Sequence, residues 1–299
     1  MSDGALLLDK PVGISSNRAL QEAKKLLHEK KAGHAGTLDP LASGLLVVLF
    51  GGATKLAGTL LDADKEYVAT LKLGERTSTG DAEGTVVETT PVSTRMSDLG
   101  PVLERFVGEI EQVPPMHSAL KRGGVPLYLL ARKGETVQRA PRRVRIFSIE
   151  TLGLDGPRLE LRVRCSKGTY IRSLAEDIGA ALGTCAHLAA LRRTGSGEFR
   201  VEAASSLEEL AAVPEAARAQ RLLGLAQLLR GLPRVALDAE QEARFRNGQT
   251  LKAFPGEGLC AVYGAHGAVL GLAQADAGAL RPLRLLASSQ AADKHRKTL

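Results

Sequence analysis

One aspartate in this chain is set apart by its neighbours. Asp39 lies in GHAGTLDPLASG, Gly33 to Gly44, between a glycine-rich approach and a proline. Gly33 and Gly36 permit conformations or close approaches that a side chain would block, and Pro40 fixes the torsion just after the acid. Such a turn aims a carboxylate outward, where it can serve as a nucleophile. Asp before Pro also commonly caps a helix or closes a turn, so the motif alone leaves both readings open. Metal chemistry has less to stand on. The three cysteines, Cys165, Cys185 and Cys260, form no CxxC pair and the six histidines no HExxH, so neither a disulfide framework nor a zinc site is expected.

The elements that must hold Asp39 follow from periodicity. GALLLDK reads as a short strand ending at Lys10 and Pro11, and Asn17 to Lys30 as an amphipathic helix with Leu20, Ala23, Leu26 and Leu27 on one face. LASGLLVVLF, after Pro40, is a buried strand or a short helix. Tyr67, Ala69, Leu71 and Leu73 alternate with Val68, Thr70 and Lys72, and Leu159, Leu161, Val163 and Cys165 with Glu160, Arg162 and Arg164; both runs predict strands. A helix is expected from about Tyr170 to Leu182, stopped by Gly183. Strands and helices mix without strict βα alternation, which predicts an α+β fold on a mixed, largely antiparallel sheet flanked by helices. From about residue 205 an Ala, Leu and Glu-rich stretch reads as one or two helices closing a main domain, 1–230. Residues 231–286, divided by NGQ, PGEG, YGAHG and DAG, predict a small β-rich domain, and the polar tail 287–299 is expected to be disordered.

Charge narrows the partners. The chain has 299 residues, 44% hydrophobic, and a net charge of +7. Between Lys121 and Arg145 there are eight basic residues (Lys121, Arg122, Arg132, Lys133, Arg139, Arg142, Arg143, Arg145) against Glu135 alone, so the excess is a patch suited to a polyanion. The N-terminus lacks the basic start and long apolar stretch of a secretory signal, and no apolar run approaches the roughly 18 residues of a membrane span. A cytoplasmic protein without membrane contact is expected.

An ordered series of motifs adds to this. DKPVGISS (Asp9–Ser16), GHAGTLDPLASG, KEYVATLKLGERTSTGDAEG (Lys65–Gly84), QVPPMHSALKRGGVPLYLLARKGE (Gln112–Glu135) and CSKGTYIRSLAEDIG (Cys165–Gly179) resemble, in that order, the bacterial tRNA pseudouridine-55 synthases of the TruB type. The resemblance implies the pseudouridine synthase fold with a C-terminal PUA-like domain, and isomerisation of uridine 55 in the T-loop of tRNA with help to tRNA folding. It implies no cofactor and no metal, and a monomer is expected. Asp39 would be the nucleophile, Tyr67 would stack on the target uracil, and Arg172 would pair with the catalytic carboxylate. Tyr170 would form a pocket wall at the start of its helix, Leu191 would line the uracil pocket, and His34 would wedge into the T-loop where bases flip out. Lys10, Pro11 and Gly36 would brace the loop. A basic thumb-like insertion, about 114–145, would close on the RNA through Lys121, Arg122, Arg132, Lys133, Arg142 and Arg143, and the C-terminal domain would dock the acceptor region. His117 departs from the tyrosine frequent in the family. Attack on the sugar, attack on the ring and elimination to a glycal all remain open. So do two other classes: a catalytically silent RNA-binding module, and a glycoside hydrolase with Asp81 or Glu83 as the second acid.

Overall fold

The apolar runs near the N-terminus become neighbouring strands buried on both faces, which is why they read as unbroken hydrophobic stretches rather than as alternation. The computed structural model of the protein describes residues 3–118, 120–135 and 137–286. The tail expectation for 287–299, and the RNA contacts expected of the Lys121, Arg122 and Arg132 side chains, lie outside what is described.

The main sheet has ten strands: β1 (Gly4–Lys10), β2 (Ala32–His34), β3 (Ala42–Phe50), β4 (Lys65–Leu73), β5 (Gly108–Gln112), β6 (Arg142–Asp155), β7 (Arg158–Cys165), β8 (Ala186–Ser196), β9 (Phe199–Arg200) and β10 (Leu223–Gly224). Their order is β10-β1-β3-β8-β4-β7-β6-β5, with β2 on β3 and β9 on β8. Every pairing is antiparallel except β3 with β8, where Leu191 lies opposite Ala42. That junction brings the strand after Asp39 beside β8 and, through β8, to β4.

Helix α1 (Ser16–Leu26) begins at Ser15, whose hydroxyl accepts the Arg18 amide. It stops at Leu26, not at the expected Lys30, because His28 turns left-handed at φ 52° while the His28 and Glu29 amides close back on Lys25 and Lys24. Helix α2 (Met96–Glu104) and helix α3 (Ile171–Ala181) cover the inner face of β4, β6, β7 and β8 around Tyr67, Leu71, Leu161, Leu174 and Ile178. The stretch expected as one or two helices is three short ones, Leu207–Ala212, Glu215–Arg218 and Leu225–Leu228. Pro214 interrupts the run, and Leu223 and Gly224 leave it to pair with Ala5 and Gly4.

Between β5 and β6 the chain departs from the sheet into a small hairpin, Lys121–Arg122 with Val125–Pro126, and a helix, Leu127–Arg132. This excursion is shorter than the expected 114–145. Val144 and Ile146 are buried in strand alternation, so Arg142, Arg143 and Arg145 belong to β6. A five-stranded sheet, Arg234–Ala236, Leu251–Lys252, Gly258–Tyr263, Val269–Asp276 and Ala279–Leu285, forms the C-terminal unit. Its Ala261, Tyr263 and Leu272 pack in one cluster with Val47 and Leu49 of β3, and Lys55 donates to the Leu285 carbonyl at 2.7 Å. Among the described residues no helix is long and apolar enough to cross a membrane.

Candidate active site

The loop that carries Asp39 is pinned along its length. Gly36 takes φ 103°, a left-handed conformation that glycine permits. The buried Ser16 hydroxyl accepts the Leu38 amide at 2.7 Å and donates to the Leu38 carbonyl at 2.9 Å. The Gly13 amide donates to the Pro40 carbonyl at 2.8 Å, and the Ala42 amide to the Asp39 carbonyl at 3.0 Å. Asp39 therefore does close a turn, but with its backbone. DKPVGISS and GHAGTLDPLASG are one structural unit, since the first supplies the clamps for the second.

The Asp39 carboxylate meets Arg172. Arg172 Nη2 lies 2.9 Å from Asp39 Oδ2, and Nη1 lies 3.5 Å from Oδ2 of the buried Asp81. The guanidinium also donates to the carbonyls of His117 at 2.6 Å and Thr79 at 3.3 Å. Because residue 117 acts through its backbone, the departure to histidine leaves this contact intact. Asp81 accepts from the Thr79 hydroxyl at 2.6 Å and the Glu83 amide at 3.1 Å. It is engaged as a counter-charge, which removes it as the free acid of a glycosidase. Burial, then the Asp81 and Asp39 charges, raise the Glu83 carboxyl above the usual range.

Tyr67 is buried on β4 opposite Val163 and Arg193. Burial raises its phenol above the usual tyrosine range. Tyr170 caps α3 at its N-terminus, as expected, and its backbone is held on both sides by Gln112: Tyr170 N donates to Oε1 at 3.0 Å and Nε2 donates to Tyr170 O at 3.3 Å. Its phenol is also raised, mainly by burial. Leu191 packs on the cluster that holds Leu38, Ala42 and Tyr67. Lys10 is fully buried and donates to the carbonyls of Pro11 at 2.8 Å and Ile14 at 2.7 Å, bracing the loop. Burial lowers its amine to about 8 against the opposing pull of Asp39. His34, at the end of β2, is half-buried with its Nδ1 unpartnered, and burial, then the Arg193 charge, lowers its pKa. Lys133 is exposed, and so are Arg142 and Arg143.

Three participants escaped the sequence reading. Asp81 was weighed only as an acid. Gln112 and Arg193 carry no local signature, since an isolated Gln or an RR pair on an alternating strand reads as surface. Arg193 is instead among the largest fully buried side chains of the described residues.

Comparison with known proteins decides the family. The model of the TruB family pseudouridylate synthase N-terminal domain matches residues 24–171, that of the tRNA pseudouridylate synthase B C-terminal domain 172–233, and that of the pseudouridine synthase II TruB C-terminal region 233–286. The chain belongs to the TruB family of pseudouridine synthases. Relatives called tRNA pseudouridine synthase B include those of Ralstonia pickettii, 53% identical over 95% of this chain and 94% of the relative, and of Thiobacillus denitrificans, 53% identical over 97% of each. A solved Cbf5-Nop10-Gar1 complex contains a chain of the same fold, with TM-score 0.76 and 29% identity over 96% of this chain and 86% of that one. An H/ACA RNP bound to a substrate RNA containing 2'-deoxyuridine gives TM-score 0.73 and 28% identity over 95% and 85%. As a TruB-family member the protein is an isomerase that turns uridine in tRNA into pseudouridine.

Proposed function

We propose that this TruB enzyme isomerises uridine 55 in the T-loop of tRNA, with Asp39 as the nucleophile on a flipped-out uridine. The observation that carries the reading is the Asp39–Arg172 contact at 2.9 Å, made by a carboxylate on a clamped loop and 40% exposed, so that one side is paired and the other open. The isomerisation breaks the N1–C1′ bond, turns the uracil and forms the C5–C1′ bond; the C5 proton leaves and N1 ends protonated. Arg172 pairs with the carboxylate and fixes its direction, Tyr67 stacks on the base, and Leu191 and Tyr170 wall the pocket against water. His34 wedges at the flipping point. The basic excursion and Arg142 and Arg143 bring phosphates to the mouth. The C-terminal domain, 231–286, docks the acceptor region, and the enzyme works as a cytoplasmic monomer.

The test is to map pseudouridine in unmodified tRNA before and after incubation with the protein alone. Conversion at position 55 is expected with wild type and none with Asp39→Asn; an unchanged uridine profile with wild type would favour a silent RNA-binding module.

A further inference from the structure

A charged group removed from water normally finds an opposite charge, because the desolvation cost is otherwise uncompensated. Arg193 is 1% exposed and has no carboxylate within ion-pair distance among the described residues. Guanidinium stays charged at any working pH, so the side chain cannot escape the cost by losing its proton. Its donors go instead to backbone carbonyls: Nε to Leu45 at 2.7 Å, Nη2 to Gly36 at 3.1 Å and Nη1 to Thr37 at 3.4 Å. A Cβ on Gly36 would meet Nη1 at 3.4 Å, an ordinary contact, so it is the φ of 103° rather than the guanidinium that calls for glycine there. The β4–β8 pairing sets Arg193 directly opposite Tyr67, whose phenol feels the guanidinium charge against the burial that raises its pKa.

These partners are not scattered. Gly36 and Thr37 immediately precede Leu38 and Asp39, Leu45 lies on the strand that follows, and Tyr67 is the stacking ring. A fork with fixed donor geometry thus grips the nucleophile's loop from the strand position directly opposite the base platform. Resting on the reading above, we propose that Arg193 is a positioning residue for the isomerisation, setting the Asp39 loop and the Tyr67 ring in register with each other from beneath the pocket. A lysine in its place would keep the charge but could not meet the carbonyls of Gly36, Thr37 and Leu45 together.

Arg193→Lys and Arg193→Gln test this by single-turnover conversion of unmodified tRNA, tRNA binding, and a thermal melt on the same preparations. The rate is expected to fall about 10-fold or more for Lys, as for a misplaced reacting group, with tRNA affinity within about threefold. In a Tyr67→Phe background the loss caused by Arg193→Lys should shrink, because the phenol that faces the guanidinium across the β4–β8 pairing is already gone. A rate within twofold of wild type for both variants overturns the proposal. So does a loss fully explained by a smaller tRNA-binding-competent fraction, which is what a merely structural arginine would give. Failure of wild type itself to convert uridine would instead defeat the functional reading.

Discussion

Arg172 reaches Asp39 from a nearly buried position, 7% exposed against 40% for the carboxylate, with Nη2 and Oδ2 2.9 Å apart. The cation is fixed by its surroundings and the anion is presented to the pocket, so the pair is asymmetric in the sense a nucleophile requires. Asp39→Asn keeps the shape of the turn, whose hydrogen bond uses the backbone, but removes the charge. Turnover should fall by about 10³-fold or more, with tRNA affinity nearly unchanged in a filter-binding assay. A fully active Asn variant would sink the assignment.

Asp81 is the other half of that arrangement, 4% exposed and 3.5 Å from Arg172. Replacing Arg172 by Met would leave a buried carboxylate without its cation, at a cost of about 3–5 kcal/mol. Urea unfolding should show this loss, and the double replacement Arg172→Met with Asp81→Leu should recover part of it. If the double variant is no more stable than the single one, Asp81 is not a counter-charge.

Lys65 is buried at the start of β4 with its amine donating to the carbonyls of Ala63 at 2.6 Å and Leu61 at 3.1 Å. Burial first, then the Arg193 charge, lowers it from 10.5 to about 8. Between these two values the unfolded chain binds more protons than the folded one, so this residue's contribution to stability rises with pH across that window. The stability of wild type relative to Lys65→Met should therefore improve from pH 8 to 10.5 in urea titrations. A constant difference would contradict the depressed value.

Arg142 and Arg143 are adjacent on β6 but differently occupied. Arg143 already faces Glu109 at 3.2 Å and Glu111 at 3.9 Å, whereas Arg142 has no acidic partner among the described residues and its charge reaches the Tyr170 phenol. Arg142→Ala should weaken tRNA binding and reduce the slope of log affinity against log salt by about 1. Arg143→Ala should change the slope less, since carboxylates already offset its charge. Equal slopes for both variants would place the RNA away from this edge.

The sequence by itself determined the outward-aimed Asp39, the strand alternation that buries Tyr67, the stop at Gly183, and the ordered motifs that mark the family. These are local properties: torsional permission at glycine and proline, and a period of two or of 3.6 along one element. It missed the end of α1, which a left-handed His28 sets, and it overextended the thumb, because arginines on an alternating strand look the same as arginines in a loop. Arg172 was already implied by the resemblance, and only the tertiary structure decided which other residues serve Asp39. Ser16, Arg172 and Arg193 reach it or its loop, and Asp81 reaches Arg172, from four separate stretches of chain, and whether a charged side chain is a solvated surface group or a buried clamp depends on what the sheet order packs against it. Arg193 is the sharpest case: its neighbour Arg192 forms a half-exposed ion pair with Asp9, while one residue on, the pleat turns the same side chain type into a buried clamp on the Asp39 loop.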